Sequence, residues 1–173
     1  MMAGCSSEPL YENEAAVQAN NVVETVEGLS ADLRDINGET LARATLEQTG
    51  DAVRVRIDAA GLPAGTYGAH VHMTGRCDAP DFASAGGHWN PTDHRHGRDN
   101  PQGAHMGDLP NLVVAADGSG AISFDITGAT LRGAGNPVMD EDGAAVIVHA
   151  DPDDYRTDPS GNSGARIACG VIG

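Results

Sequence analysis

The chain has 173 residues, enough for one domain with a sizeable core. Its formal net charge is −15, and all ten basic residues are arginine, a balance that argues against nucleic acid and anionic membrane surfaces as partners because both would repel it. Aromatic content of 3% with 23 glycines and 9 prolines points to many short strands and turns and away from long helices.

Residues 1–28 read as a tail. The stretch SSEPLYENEAAVQANNVVETVEG is acidic, lacks strand alternation and suits a tether. Residues 29–173 read as one folded domain. DING at 35–38 and TGD at 49–51 are turn signals between alternating runs. In AVRVRID, Val53, Val55 and Ile57 share one face, opposite Arg54, Arg56 and Asp58, which predicts a half-buried strand. TYGAHVHM at 66–73 is the next predicted strand. LVVAADGSGAISFDI at 112–126 predicts two strands around a Gly-rich turn, with Ile122, Phe124 and Ile126 on one face. AAVIVHA at 144–150 and GARIACGVI at 164–172 complete the set. Eight short strands so spaced predict an all-β antiparallel sandwich or barrel. Residues 74–110 and 150–163 resist a strand reading. Long loops in a compact domain are usually functional or disordered, and the histidines of the first favour function.

Histidines carry the chemistry. On a strand, i and i+2 share a face, so His70 and His72 in GAHVHM look one way and Val71 the other. The loop GGHWNPTDHRHGRDNPQGAHMGDLPN supplies His88, His94, His96, His105 and Asp108. Three histidines and a carboxylate satisfy the ligand preferences of zinc, and imidazole also suits copper. His149 ends an apolar strand, where a lone histidine is more often structural. The whole inventory exceeds the needs of one zinc, and two metal sites explain it better.

In order, GAHVH, CDAPDFASAGGHWNP, HRHG, HMGDLPNLVV, VIVHADPDDY and GNSGARIACGVIG make the chain resemble a bacterial copper,zinc superoxide dismutase over roughly residues 29–173. That resemblance implies a Greek-key, eight-stranded flattened barrel with two long functional loops. It implies copper held by His70, His72, His88 and His149, and zinc held by His88, His96, His105 and Asp108, with His88 shared. His88 and Arg166 would be the catalytic side chains, Asp153 would orient one copper and one zinc ligand, and His94 would be an extra, exposed histidine. Superoxide anion would be the substrate. Cys77 and Cys169 would form the family disulfide, closing a loop of about 90 residues and stabilising by on the order of 4–5 kcal/mol in the chain-entropy model. A disulfide implies an oxidising, periplasmic or extracytoplasmic compartment. A homodimer is compatible with the resemblance, although no interface is legible from one chain.

The sequence also departs from the family pattern. Trp89 stands where phenylalanine is usual, and Met73 where a polar residue often is. The segment 150–163 offers Asp151, Asp153, Asp154, Arg156 and Asp158 where many members carry lysines that attract the substrate. Separately, MAGCS at 2–6 resembles the end of a bacterial lipoprotein signal, in which Cys5 would carry a lipid anchor. Only four residues precede Cys5, with no charged or apolar region, so the expectation is a chain shortened at its start; the other reading is an ordinary tail thiol. Two rival functions stand beside the enzyme. One is a non-catalytic copper/zinc-binding member, and the other is an extracytoplasmic β-sandwich ordered by a single zinc.

Overall fold

A computed structural model of the chain describes Met1 and residues 28–173. Residues 2–27 of the tail, Cys5 among them, lie outside the described residues. The strands, in chain order, are β1 (Gly28–Arg34), β2 (Thr40–Thr49), β3 (Ala52–Ala59), β4 (Gly65–Tyr67), β5 (Ala69–His72), β6 (Leu112–Val114), β7 (Ala121–Thr127), β8 (Ala129–Thr130), β9 (Asn136–Pro137), β10 (Ala145–His149) and β11 (Arg166–Val171). Seven form one antiparallel sheet in the order β5-β10-β11-β1-β2-β3-β7. β4 extends β5 beyond Gly68 and pairs with β6, and β6 packs on β7. The two ends of the sheet are therefore joined, and it curls into a flattened antiparallel barrel. With β4 and β5 taken as one interrupted strand, the eight predicted strands are all present. The small parallel β8–β9 pair is additional.

Local chemistry explains the boundaries. The Asp35 carboxylate accepts the amide N–H groups of Asn37 and Glu39, closing the turn that DING predicts. The predicted strand 66–73 breaks at Gly68, whose N–H donates to Asp151 O at 2.9 Å and whose missing Cβ would collide with Ser163. In β3, Val53, Val55 and Ile57 are buried and Arg54 and Arg56 exposed, as the alternation requires. β7 behaves differently. Ile122, Phe124 and Ile126 do pair opposite Ile57, Val55 and Val53, but β7 is the last strand of the sheet, and only Ile126 is buried.

The barrel core is filled by Leu33, Leu46, Val55, Ile57, Val71, Leu112, Val146 and Val148, among others. At the β5–β10 end both sheet faces are covered. Ala69, Val71, Val146 and Val148 point into the barrel, while Ala145 and Ile147 pack outward with Phe82, Ala85 and Cys169. A continuous apolar run such as AVIV is the expected pattern of a strand buried on both faces. Trp89 joins the main core at 4% exposure, so the larger ring at this position is accommodated.

Cys77 and Cys169 are joined by a disulfide with Cα atoms 5.7 Å apart, across a sequence separation of 92. The bond ties the long loop to β11. Cys77→Ser is expected to lower unfolding free energy by about 2–5 kcal/mol, read from denaturant titration. Two reactive thiols at these positions in the native, oxidised protein would refute the bridge.

Candidate metal centre

The outer face of β5 starts the site. Because alternate residues share a face, His70 and His72 lie together there, opposite Ile147 and Ala145 of β10. His149 follows on the same face of β10, beside a β-bulge at Val148/His149 that locally shifts the register with Arg166 of β11. The long loop then runs back along the free edge of β5. Val71 N–H donates to Gly107 O, Trp89 N–H to Val71 O and Met73 N–H to Gly87 O, at 2.8–3.0 Å. This pairing sets His88 opposite His72 and Asp108 opposite His70. An irregular loop thereby acquires strand-like register at the two positions that matter.

Two groups of ligand atoms converge within 4.8 Å: His70, His72, His88 and His149, and His70, His88, His96 and Asp108. His105 completes the second neighbourhood, its Nδ1 3.2 Å from Asp108 Oδ1 and 3.4 Å from His88 Nδ1. His70, His72 and His96 are fully buried, and His149, His88 and Asp153 nearly so. His94 is exposed, with Nδ1 3.2 Å from Ala104 O, and stands outside both groups.

Each of five imidazoles has one nitrogen engaged; the other is bare in His70, His72, His88 and His149, while in His96 it lies 3.1 Å from Asp108 Oδ2. His70 Nε2–H donates to Asp153 Oδ2 at 2.8 Å, and His96 Nε2–H donates to Asp153 Oδ1 at 2.9 Å. His72 Nδ1–H donates to Gly86 O, His149 Nδ1–H to Gly164 O and His88 Nδ1–H to Asp108 Oδ1. Buried side-chain nitrogens without a hydrogen-bond partner, among the described residues, include His70 Nδ1, His72 Nε2, His88 Nε2 and His149 Nε2. Leaving four polar atoms bare in a protein interior costs about 1–3 kcal/mol each. The donor set therefore fits soft-to-borderline cations: in His70, His72 and His149 the bare nitrogen can be a ligand while the engaged one fixes the tautomer, and His88 turns its bare Nε2 to one group and its Nδ1 to Asp108 and His105.

The electrostatics agree. Burial drives His70 down to about 3, overriding the nearby Asp153, and drives His149 down to about 4, with the charges of His88 and Arg166 adding to it. His72 and His88 are lowered mainly by burial as well. These rings are neutral at neutral pH, the form that binds metal. Burial opposes the charge on His96, but Asp108 and Asp153 together raise it to about 9. Burial alone would raise Asp108, yet hydrogen bonds from His105, His88, His96 and the Gly97 amide hold it far below the carboxylate range. One half of the site is thus neutral and the other carries a fixed anion.

Surrounding groups lock the ligands. Asp153 N–H donates to Asn111 Oδ1, and Asn111 Nδ2 donates to Asp153 O. Gly161, in the left-handed region at φ +63°, passes so close that a Cβ there would overlap the Asp153 carboxylate and the His96 ring. Arg166 donates from Nη1 to Phe82 O and from Nη2 to Gly86 O, both at 2.7 Å. It lines a cavity of ≈ 380 Å³ with His72, His88, His149, Pro159 and Ser160. Arg156 is exposed and does not line this cavity. Sequence reasoning missed Asn111 and Tyr155, whose roles depend on contacts between loops far apart in sequence; Tyr155 Oη accepts the Asn111 N–H at 2.9 Å.

The copper/zinc superoxide dismutase (SODC) family model matches residues 40–172. The chain is 42% identical over 144 residues to "Superoxide dismutase [Cu-Zn] 1" of Aquifex aeolicus, covering 82% of this chain and 85% of that protein. It is 39% identical over 175 residues to "Superoxide dismutase-like protein YojM" of Bacillus subtilis, covering 99% of this chain and 89% of that one. Among solved structures, a double mutant of a SOD-like protein from Bacillus subtilis matches with TM-score 0.77 and 42% identity, over 83% of this chain and 97% of that one. A barrel of this topology, a buried histidine cluster with bare nitrogens and these similarities together place the chain in the copper/zinc superoxide dismutase family.

Proposed function

We propose that the chain disproportionates superoxide, two superoxide ions and two protons giving dioxygen and hydrogen peroxide. The observation that carries this is the set of bare imidazole nitrogens. In this reading His70, His72, His88 and His149 hold copper, and His88, His96, His105 and Asp108 hold zinc. Copper supplies the one-electron couple, and zinc is a redox-inert cation that shapes the loop. His88 belongs to both groups and can hold a proton at Nε2 and pass it to the product. Two of the five guanidinium N–H groups of Arg166 fix it to the loop, leaving others to hydrogen-bond the anion in the cavity. Asp153 orients His70 and His96 at once. Residues 29–173 form the catalytic domain, and the disulfide supports an extracytoplasmic setting. Residues 1–28 then serve as a tether, with Cys5 its lipidation site.

The 39% identity to a protein named only superoxide dismutase-like favours a second reading, a non-catalytic metal-binding member. Metal analysis with a visible spectrum and superoxide decay separates the two. Copper and zinc in equal amounts with catalysed decay support the enzyme. Zinc alone, with no visible copper band, would sink it.

Charge raises a specific expectation. Asp154 is engaged by the amides of Arg156 and Thr157, and Asp151, Asp154 and Asp158 do not line the cavity. Among the described residues, Arg166 is the one arginine that does. With a Debye length of about 8 Å at physiological salt, outer carboxylates are largely screened. The rate should therefore fall with ionic strength, on a shallow slope. Arg166→Ala should lower it several-fold and flatten the dependence, measured by pulse radiolysis; a wild-type rate that climbs with salt would contradict local steering.

A further inference from the structure

We infer that Asp158 is a positioning residue for His96, fastening the main chain of this zinc ligand to the wall of the copper cavity. The inference rests on the ligand assignment proposed above. Asp158 Oδ1 accepts the His96 N–H at 2.7 Å, and Oδ2 lies 3.6 Å from Arg95 Nη1. His96 is therefore held at two points by one segment, its ring by Asp153 and its backbone by Asp158. The neighbouring contacts lie along the same seam. Asp99 N–H donates to Tyr155 O at 3.0 Å, and the Arg98 guanidinium lies 3.8 Å from the Tyr155 ring centroid. Gly97 sits at φ +96°, where a Cβ would overlap the Tyr155 main chain, so the two loops touch backbone to backbone.

Asp158 is followed directly by Pro159 and Ser160, which line the cavity with Arg166 and His149. Of the contacts along this seam, the Asp158 side chain is the one that ties the His96 main chain to the residue preceding the cavity wall. The carboxylate acts here as a structural acceptor, which alters its reading as a charge that opposes the substrate. An ionised acceptor makes a hydrogen bond roughly twice as strong as a neutral one, so aspartate and asparagine should differ in a graded way.

Hydrogen exchange at the His96 amide, in metal-free and zinc-loaded protein, measures the tie. Zinc transfer to a chromogenic chelator measures its effect on the metal. Asp158→Ala should speed His96 amide exchange by about 10–100-fold, the span expected for a hydrogen bond to a charged group. It should also speed zinc loss several-fold, and Asp158→Asn should fall between it and wild type in both. Asp154→Ala is the control, because among the described residues the Asp154 side chain bonds to Arg156, Thr157 and Asn162, all within its own loop. Unchanged His96 exchange in Asp158→Ala, or equal effects from Asp154→Ala, would overturn the inference. If wild type takes up no zinc at all, the ligand assignment fails, while exchange at His96 still decides whether the tie exists.

Discussion

His149→Ala is expected to abolish copper binding and lower superoxide turnover by at least about a hundredfold, while zinc content stays normal. Loss of a group that merely orients a ligand already costs about 10–100-fold, so loss of the ligand itself should cost no less. His149 belongs to the group with His70, His72 and His88 and not to the group around Asp108. Its Nδ1 is engaged by Gly164 O and its Nε2 is bare, so alanine removes one donor from one metal only. Elemental analysis and the visible spectrum report the copper, and a zinc-selective chelator reports the zinc. Normal copper content and turnover in the variant would rule out the assignment, whereas loss of both metals would mean that His149 supports the whole site.

How far the sequence reveals this arrangement depends on the residue. His70 and His72 are legible because strand alternation has period 2 and needs no partner to define a face. The AVIV run of β10 is legible as a strand buried on both sides. The placement of His88 and Asp108 is not, because it comes from an irregular loop pairing with an edge strand across residues no local pattern links. The choice between His94 and His96 likewise rests on the family pattern; two histidines two residues apart in a loop have no fixed faces. The structure separates them by burial, His96 being enclosed and His94 exposed. Long-range contacts also explain Asp158. From composition it counts as one more negative charge near an anion's path, and its acceptor role appears only when residues 96 and 158 meet.

Asp153→Ala should weaken both metals, unlike His149→Ala. The buried carboxylate accepts His70 Nε2–H, His96 Nε2–H and the Tyr155 amide, so one side chain fixes a ligand from each group. Its acidity follows. Burial would raise it, but the hydrogen bonds from His70 and His96 and the Tyr155 amide hold it well below the usual carboxylate range. Removing it leaves imidazole N–H groups without an acceptor in the interior. It also frees the His70 tautomer to move its proton to Nδ1, the bare nitrogen that would hold copper in the proposed assignment. Affinity for each metal should fall about 10–100-fold. The metal-free protein should lose about 3–5 kcal/mol, as when one partner of a buried charged pair is deleted. Asp153→Asn separates shape from charge. The amide keeps the volume and can accept from one imidazole, but it must turn an N–H toward the other, so one metal should be retained better than the second. Chelator competition for copper and zinc, with denaturant unfolding of the metal-free protein, makes the comparison. Wild-type affinity for both metals in Asp153→Ala would show that the ligands are held by their own backbone and that this carboxylate orients neither.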